Sequence, residues 1–378
     1  MFRNFLRSAF RTFANIPGWR TSRKIVVFES DDWGSIRMPS LETFRELKAQ
    51  SVDVFSGDAL RYNSNDTLAS ADDLGALFEI LAENKDSSGR ACVFTPVSLV
   101  ANPDFSKIEA SGFKKYHYEP FTETLKKYPG CENSFDVWQQ GMREGIFAPQ
   151  FHGREHLNVS SWLNALQNGH RETLLAFKKG MWGFKKPADR NANGYQAAFH
   201  LHSMEETEYH RKVIEDGLEL FEKIFKYPAS YFAAPNGYYN KTLEGALNEK
   251  GVWLINGLQL QREPAGNGKY AKRFHYLGQK NNLNQVYITR NCHFEPSIPG
   301  HDAVNCCLKQ IKTAFTLRKP AIINTHRVNF IGSLNPANRD YGLRELKSLL
   351  QEIQKNWPEV EFMSTPELGN LIIKDNRD

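Results

Sequence analysis

The sequence predicts an α/β fold built around a parallel sheet, on three observations. Short apolar runs recur along the chain, amphipathic helical stretches separate them, and the most polar residues stand directly after the runs. Strands alternating with helices argue for βαβ units and a parallel sheet. Periodicity alone leaves open whether that sheet closes into a barrel. Either way, chemistry is expected where strands end and helices begin, at the carboxyl edge.

Taken in order, Lys24-Ile25-Val26-Val27-Phe28 is the first apolar run, ending in Glu29-Ser30-Asp31-Asp32-Trp33-Gly34. Pro39 and Ser40 precede a helix from Leu41 to Ala49, and residues 50–70 are a polar, irregular insertion. Ala71 opens a helix with Leu74, Leu77, Phe78 and Leu81 on one face, and 91–95 reads as the second strand. A helix over 135–144 passes through Gly145 into a third strand, 146–151, with His152 directly after it. Residues 157–190 hold a helix and then a Gly- and Lys-rich insertion, followed by a long helix over 205–225. Further strands are expected at 231–234, 251–255, 286–289 and 320–324, with helices at 301–317 and 341–356. No repeat or low-complexity linker divides the chain. Residues 24–375 therefore read as one domain with insertions near 50–70 and 170–200, after a distinct segment over 1–23.

Composition narrows the function. With 378 residues, 40% hydrophobic and 24% charged, the chain is an ordinary soluble globular sequence, not disordered, collagen-like or coiled-coil. No apolar run approaches the ~20 residues that span a bilayer. The net charge of +5 is mild and has no concentrated basic stripe, so no nucleic-acid partner is expected. Cys92, Cys131, Cys292, Cys306 and Cys307 lack C-x-x-C spacing, which favours reduced thiols in a cytoplasmic protein. Residues 1–24 carry Arg3, Arg7, Arg11, Arg20, Arg23 and Lys24 without an acid, beside Phe2, Phe5, Leu6, Phe10 and Phe13 at near-helical spacing. Such a basic amphipathic helix suits either peripheral contact with a membrane surface or packing across a barrel end.

Three strand ends carry metal-competent residues: Asp31-Asp32, His152-x-x-x-His156, and His326. Adjacent carboxylates repel, and a divalent cation compensates them most simply, a solvated helix-capping turn being the plain alternative. His152 and His156, four apart, would share one face of a helical turn. Two imidazoles and a carboxylate with an open fourth position form a catalytic zinc or iron set.

Four stretches in this order resemble the motifs of the NodB-type polysaccharide deacetylases (carbohydrate esterase family 4). They are Val26 to Gly34 with its Asp31-Asp32, Phe151 to His156, Phe232-Ala233-Ala234-Pro235-Asn236-Gly237-Tyr238-Tyr239-Asn240, and Ala321 to His326. The resemblance implies a distorted (β/α) barrel of about seven strands, holding one divalent metal, most often zinc. It implies Asp31 as general base, Asp32, His152 and His156 as metal ligands, and His326 as general acid. Substrate contacts are implied for Trp33, as a sugar-stacking wall, and for the turn Pro235, Asn236, Gly237 and Tyr238, with the Asn236 N–H as oxyanion donor. The implied function is metal-dependent removal of an acetyl group from an acetylated sugar or polysaccharide precursor. Water acidified by the cation and deprotonated by Asp31 attacks the acetyl carbonyl, and His326 protonates the leaving group.

The chain also departs from that pattern. Ala233 stands where the family places an Arg beside the base, and only Asn256 is near where an Asp would orient the acid. Loss of both charges predicts lowered activity and a His326 that titrates near ~6.5 or below. A barrel that binds glycan without turnover is therefore an alternative. Two others are an H-x-x-E-H metalloprotease with Glu155 as base, which needs a continuous helix, and an amidohydrolase-like His200-Leu201-His202 strand end.

Overall fold

The computed structural model describes residues 15–184 and 194–375; the helix expected within residues 1–14 lies outside them. Among the described residues, one nine-stranded sheet dominates. Its strands are β1 (Lys24–Trp33), β2 (Phe94–Leu99), β3 (Gln150–Gly153), β4 (Tyr231–Phe232), β5 (Leu254–Asn256), β6 (Val286–Ile288), β7 (Cys292–His293), β8 (Ala321–His326) and β9 (Val360–Phe362). Their spatial order is β6-β5-β4-β3-β2-β1-β8-β7, with β9 pairing the start of β1, and every pairing is parallel.

That order forces the sheet to curl. The two ends of the path, β6 and β7, are joined only by Thr289, Arg290 and Asn291. So short a link, at ~3.5 Å per extended residue, cannot span a flat sheet of eight strands spaced ~4.8 Å apart. The sheet therefore wraps into a distorted, incompletely closed barrel with Arg290 at its seam.

Alternation along β1 then decides what faces inward. Ile25 and Val27 belong to an interior cluster with Val97, Tyr231, Leu254, Ile288 and Ile322. Val26 and Phe28 join the larger cluster under the surrounding helices. The C-terminal helix Thr365–Asp375 adds Leu368 and Ile372 to the interior cluster. Continuing the period of two places Glu29 and Asp31 on the interior face as well.

Several elements differ from expectation for identifiable reasons. The second and third strands lie further along than the apolar runs, the third because Phe147 forms only an isolated bridge to Phe94 ahead of β3. The two- and three-residue strands β7 and β9 carry too little pattern to be read, so the sheet has nine strands where about seven were expected. Residues 157–184 form two helices, Val159–Gln167 and Arg171–Lys178. The 50–70 insertion is not irregular throughout: it holds a helix, Asp58–Asn65, whose buried residues are Arg61 and Asn63. A helix that buries polar groups gives no apolar stripe; Asn63 lines the site and Arg61 bonds Glu295.

Candidate active site

The carboxyl ends of the sheet strands surround a cavity of about 690 Å³. Asp31, Asp32, His152, His156, Asn236, Gly237, Tyr238 and His326 line it, so residues predicted from all four motifs meet there. Adjacent residues of a regular strand point to opposite faces, so Asp31 and Asp32 should not share a cavity. They do because β1 is irregular: its register against β2 shifts between Ser30 and Trp33, and Asp32 takes φ 74°. A left-handed aspartate is uncommon backbone, and here it swings the second carboxylate inward beside the first.

The two histidines reach Asp32 from a strand and the bend after it, not from one helical turn. His152 lies in β3, and Gly153, at φ 146°, turns the chain before His156 and ahead of the helix at Val159. Asp32 Oδ1 lies 3.6 Å from His152 Nε2 and 3.2 Å from His156 Nε2. The ligand atoms of the three side chains all fall within 4.8 Å of one another. His152 Nδ1 is 2.6 Å from the Ala233 carbonyl oxygen. Donating there fixes the tautomer that leaves Nε2 as a lone pair toward the site. Burial drives the Asp32 carboxyl up, but the neighbouring His152 and His156 rings and the Arg37 charge outweigh this and hold it well below the usual range. Burial lowers His156, keeping that imidazole neutral. An ionised carboxylate beside two imidazole nitrogens is the donor set a divalent cation takes, so these residues fit a metal.

Asp31 and His326, in register on β1 and β8, are each held by a charge that sequence reading missed. Arg290, from the seam, donates Nη1 and Nη2 to Asp31 at 2.6 and 2.7 Å and Nε to Glu29 at 2.5 Å. Burial alone would raise Asp31, and the Arg290 charge turns the shift downward. His326 donates Nδ1–H to Glu295 Oε1 at 2.5 Å, while Arg61 and Asn329 hold Glu295 Oε2. Burial lowers His326, but Glu295 more than reverses this, with Asp32 and Asp31 adding, and the imidazole is pushed up to about 9.

The expected loss of both supporting charges is therefore corrected. Ala233 offers only its carbonyl, to His152, and Asn256 does not orient His326; Arg290 and Glu295 fill those two places. Neither was legible because each reaches its partner only once the sheet has curled, Arg290 from 259 residues beyond Asp31. The expectation of a His326 near or below its ordinary value is reversed for the same reason.

Four other expectations change. Trp33 is 1% exposed, donates Nε1–H to Ser30 and packs edge-on against Trp138 and Phe147, so it is core and not a sugar-stacking wall. Pro235 is buried outside the cavity, whereas Asn236, at φ 54°, turns the chain into it. Glu155 is bound by Arg154 at 2.7 and 3.0 Å and does not line the cavity, which removes the base that an H-x-x-E-H protease needs. His200 and His202 lie in an irregular stretch, not at a strand end, with His200 Nε2 2.7 Å from the Tyr270 hydroxyl.

No family model matches the sequence, and no curated protein matches it. Solved structures do align with this chain over most of its length. A protein of Mycobacterium smegmatis described as a candidate polysaccharide deacetylase aligns over 96% of this chain and 94% of its own, at 13% identity and TM-score 0.46. A glycoside hydrolase/deacetylase candidate from Parabacteroides distasonis aligns over 94% and 73%, at 9% identity and TM-score 0.48. A CE4-family pseudoenzyme from Bacillus anthracis aligns over 92% and 65%, at 10% identity and TM-score 0.36. The chemistry of the site is read from its own geometry.

Proposed function

We propose that this protein is a metal-dependent deacetylase, with zinc as the metal, that removes an acetyl group from an acetylated sugar or polysaccharide precursor. One observation carries the reading: the Asp32–His152–His156 set shares its cavity with a carboxylate clamped by an arginine and an imidazole clamped by a carboxylate. A divalent cation bound there would acidify a water molecule and polarise an acetyl carbonyl. Asp31, kept ionised by Arg290, accepts the proton from the attacking water. His326, kept protonated by Glu295, donates Nε2–H to the departing nitrogen or oxygen. The Asn236 backbone N–H, at the cavity wall, supports the developing oxyanion. The products are acetate and a free amine or hydroxyl. The alternative of a barrel that only binds glycan rested on the missing charges, and Arg290 and Glu295 remove that ground.

The test combines metal analysis with acetate release from a panel of N- and O-acetylated sugars. The wild type should hold one ion and release acetate; Asp31→Asn should keep the ion and lose turnover by at least 10²-fold (roughly the worth of a general base). Asp32→Asn should lose both. A metal-loaded wild type that binds these sugars without releasing acetate would return the protein to the glycan-binding reading.

A further inference from the structure

The polar helix of the insertion, Asp58–Asn65, brings one more reactive group to the cavity, and nothing in the motifs accounts for it. Tyr62 lines the cavity, and its ring is fixed from three directions. The Arg37 guanidinium lies 4.9 Å from its centroid and that of Arg61 4.6 Å, while the His326 ring stands edge-on to it at 6.0 Å and 87°. Each contact ties the ring to a different part of the site. Arg37 donates to Asp32 Oδ2 at 3.3 Å, and Arg61 donates to Glu295, which holds His326. Tyr62 thus lines the cavity between Arg37, which reaches the metal-competent set, and His326, the proposed acid.

We infer that Tyr62 is a catalytic residue whose phenol O–H donates a hydrogen bond to the oxyanion formed on the acetyl carbonyl, beside the Asn236 N–H. This rests on the deacetylase reading and adds a residue to it. The chemistry of the neighbours supports the assignment. Guanidinium groups carry no acceptor, so neither Arg37 nor Arg61 can take the phenol proton. Both oxygens of Asp32 already face other partners, Oδ1 the two imidazoles and Oδ2 Arg37. The O–H is left to donate to what enters the cavity, and a ring held by two cations and an imidazole spends little reorganisation in aiming it. The arrangement also explains why the insertion buries an arginine: Arg61 holds both this ring and Glu295.

Tyr62→Phe removes the O–H alone and keeps the ring contacts. Steady-state kinetics are measured on 4-nitrophenyl acetate and on the acetylated sugar of the panel that wild type turns over fastest. The expected result is a fall in kcat of about 10²–10³-fold, the worth of one oxyanion donor, with KM within threefold and metal stoichiometry unchanged. The alkaline limb of the pH profile should stay in place, since the acid is untouched. Unchanged kcat in an active wild type overturns the Tyr62 role and leaves the deacetylase reading standing. A loss carried by KM or by metal content shows a packing role and also overturns it. A metal-loaded wild type inert toward both probes overturns the deacetylase reading, and the Tyr62 role with it.

Discussion

His326 shows how one buried contact sets the working range of a residue. An imidazole taken out of water should lose its proton more readily, yet Glu295 pushes it up to about 9. On the proposed mechanism the leaving group is protonated by a group that Glu295 keeps charged through neutral pH, so hydrolysis of an amide should hold through neutral pH and fall only on the alkaline side of the ordinary imidazole range. Glu295→Gln removes the charge and keeps the shape. Its alkaline limb should move down toward the ordinary value of ~6.5, with activity at pH 8 falling about tenfold; an unmoved limb in pH–rate profiles would place the acid elsewhere. The same shift acts on folding. A raised imidazole adds stability that is complete below about pH 6.5 and is lost as pH climbs through 9. At this scale the sequence displayed the groups that perform the chemistry and hid the groups that tune them. Asp31, Asp32, His152, His156 and His326 stand beside apolar runs or at a recognisable spacing. Arg290 and Glu295 sit after the short strands β6 and β7, and Tyr62 sits in a helix with a polar buried face, none of which carries a pattern.

At the scale of elements, the long strands and helices follow from local sequence, and the departures lie where tertiary contact overrules it. Ser40 and Ser70 cap the helices Leu41–Ala49 and Ala71–Glu83 as their types dictate, the second through a full capping box with Asp73. The spacing of His152 and His156 suggested one helical turn, but Gly153 after an apolar run was the better signal, since only a turn there delivers both rings to Asp32. The helix Pro336–Asn356 makes a related case. Its Gly342 packs so tightly on the loop after β8 that a Cβ would stand 1.7 Å from the Asn329 carbonyl oxygen. Helix propensity alone favours alanine there by about 1 kcal/mol. Overpacking against backbone costs about 1–3 kcal/mol or more, and the obstacle is a carbonyl that cannot rotate away as a side chain would. Gly342→Ala should therefore lower the melting temperature. It should also reduce activity, because Asn329 donates to Glu295 Oε2 at 2.9 Å and so supports the acid. A variant as stable as wild type in calorimetry would show that the helix can shift without disturbing that loop.

For the whole molecule, the decisive feature is that a single ion would tie together segments far apart in the chain. Asp32 ends β1, His152 lies in β3 and His156 in the bend beyond it, and the curled sheet alone brings them within reach. In the unfolded chain no such set exists, so binding energy becomes folding energy: about 2.7 kcal/mol when free metal exceeds its dissociation constant a hundredfold. The fold does not depend on the ion outright, because Asp32 already faces the Arg37 guanidinium at 3.3 Å, and the interior cluster continues beneath the site. Chelation should thus leave a folded protein whose melting temperature is lower by about a few degrees. Adding zinc back should restore it. In Asp32→Asn the melting temperature should be indifferent to chelator and zinc alike, since the set has lost its only anionic ligand. Calorimetry of the two proteins, each with and without chelator, checks this directly. An equal shift in both would mean that the ion acts at some other site, and no shift in wild type would mean that the three side chains meet without holding a metal.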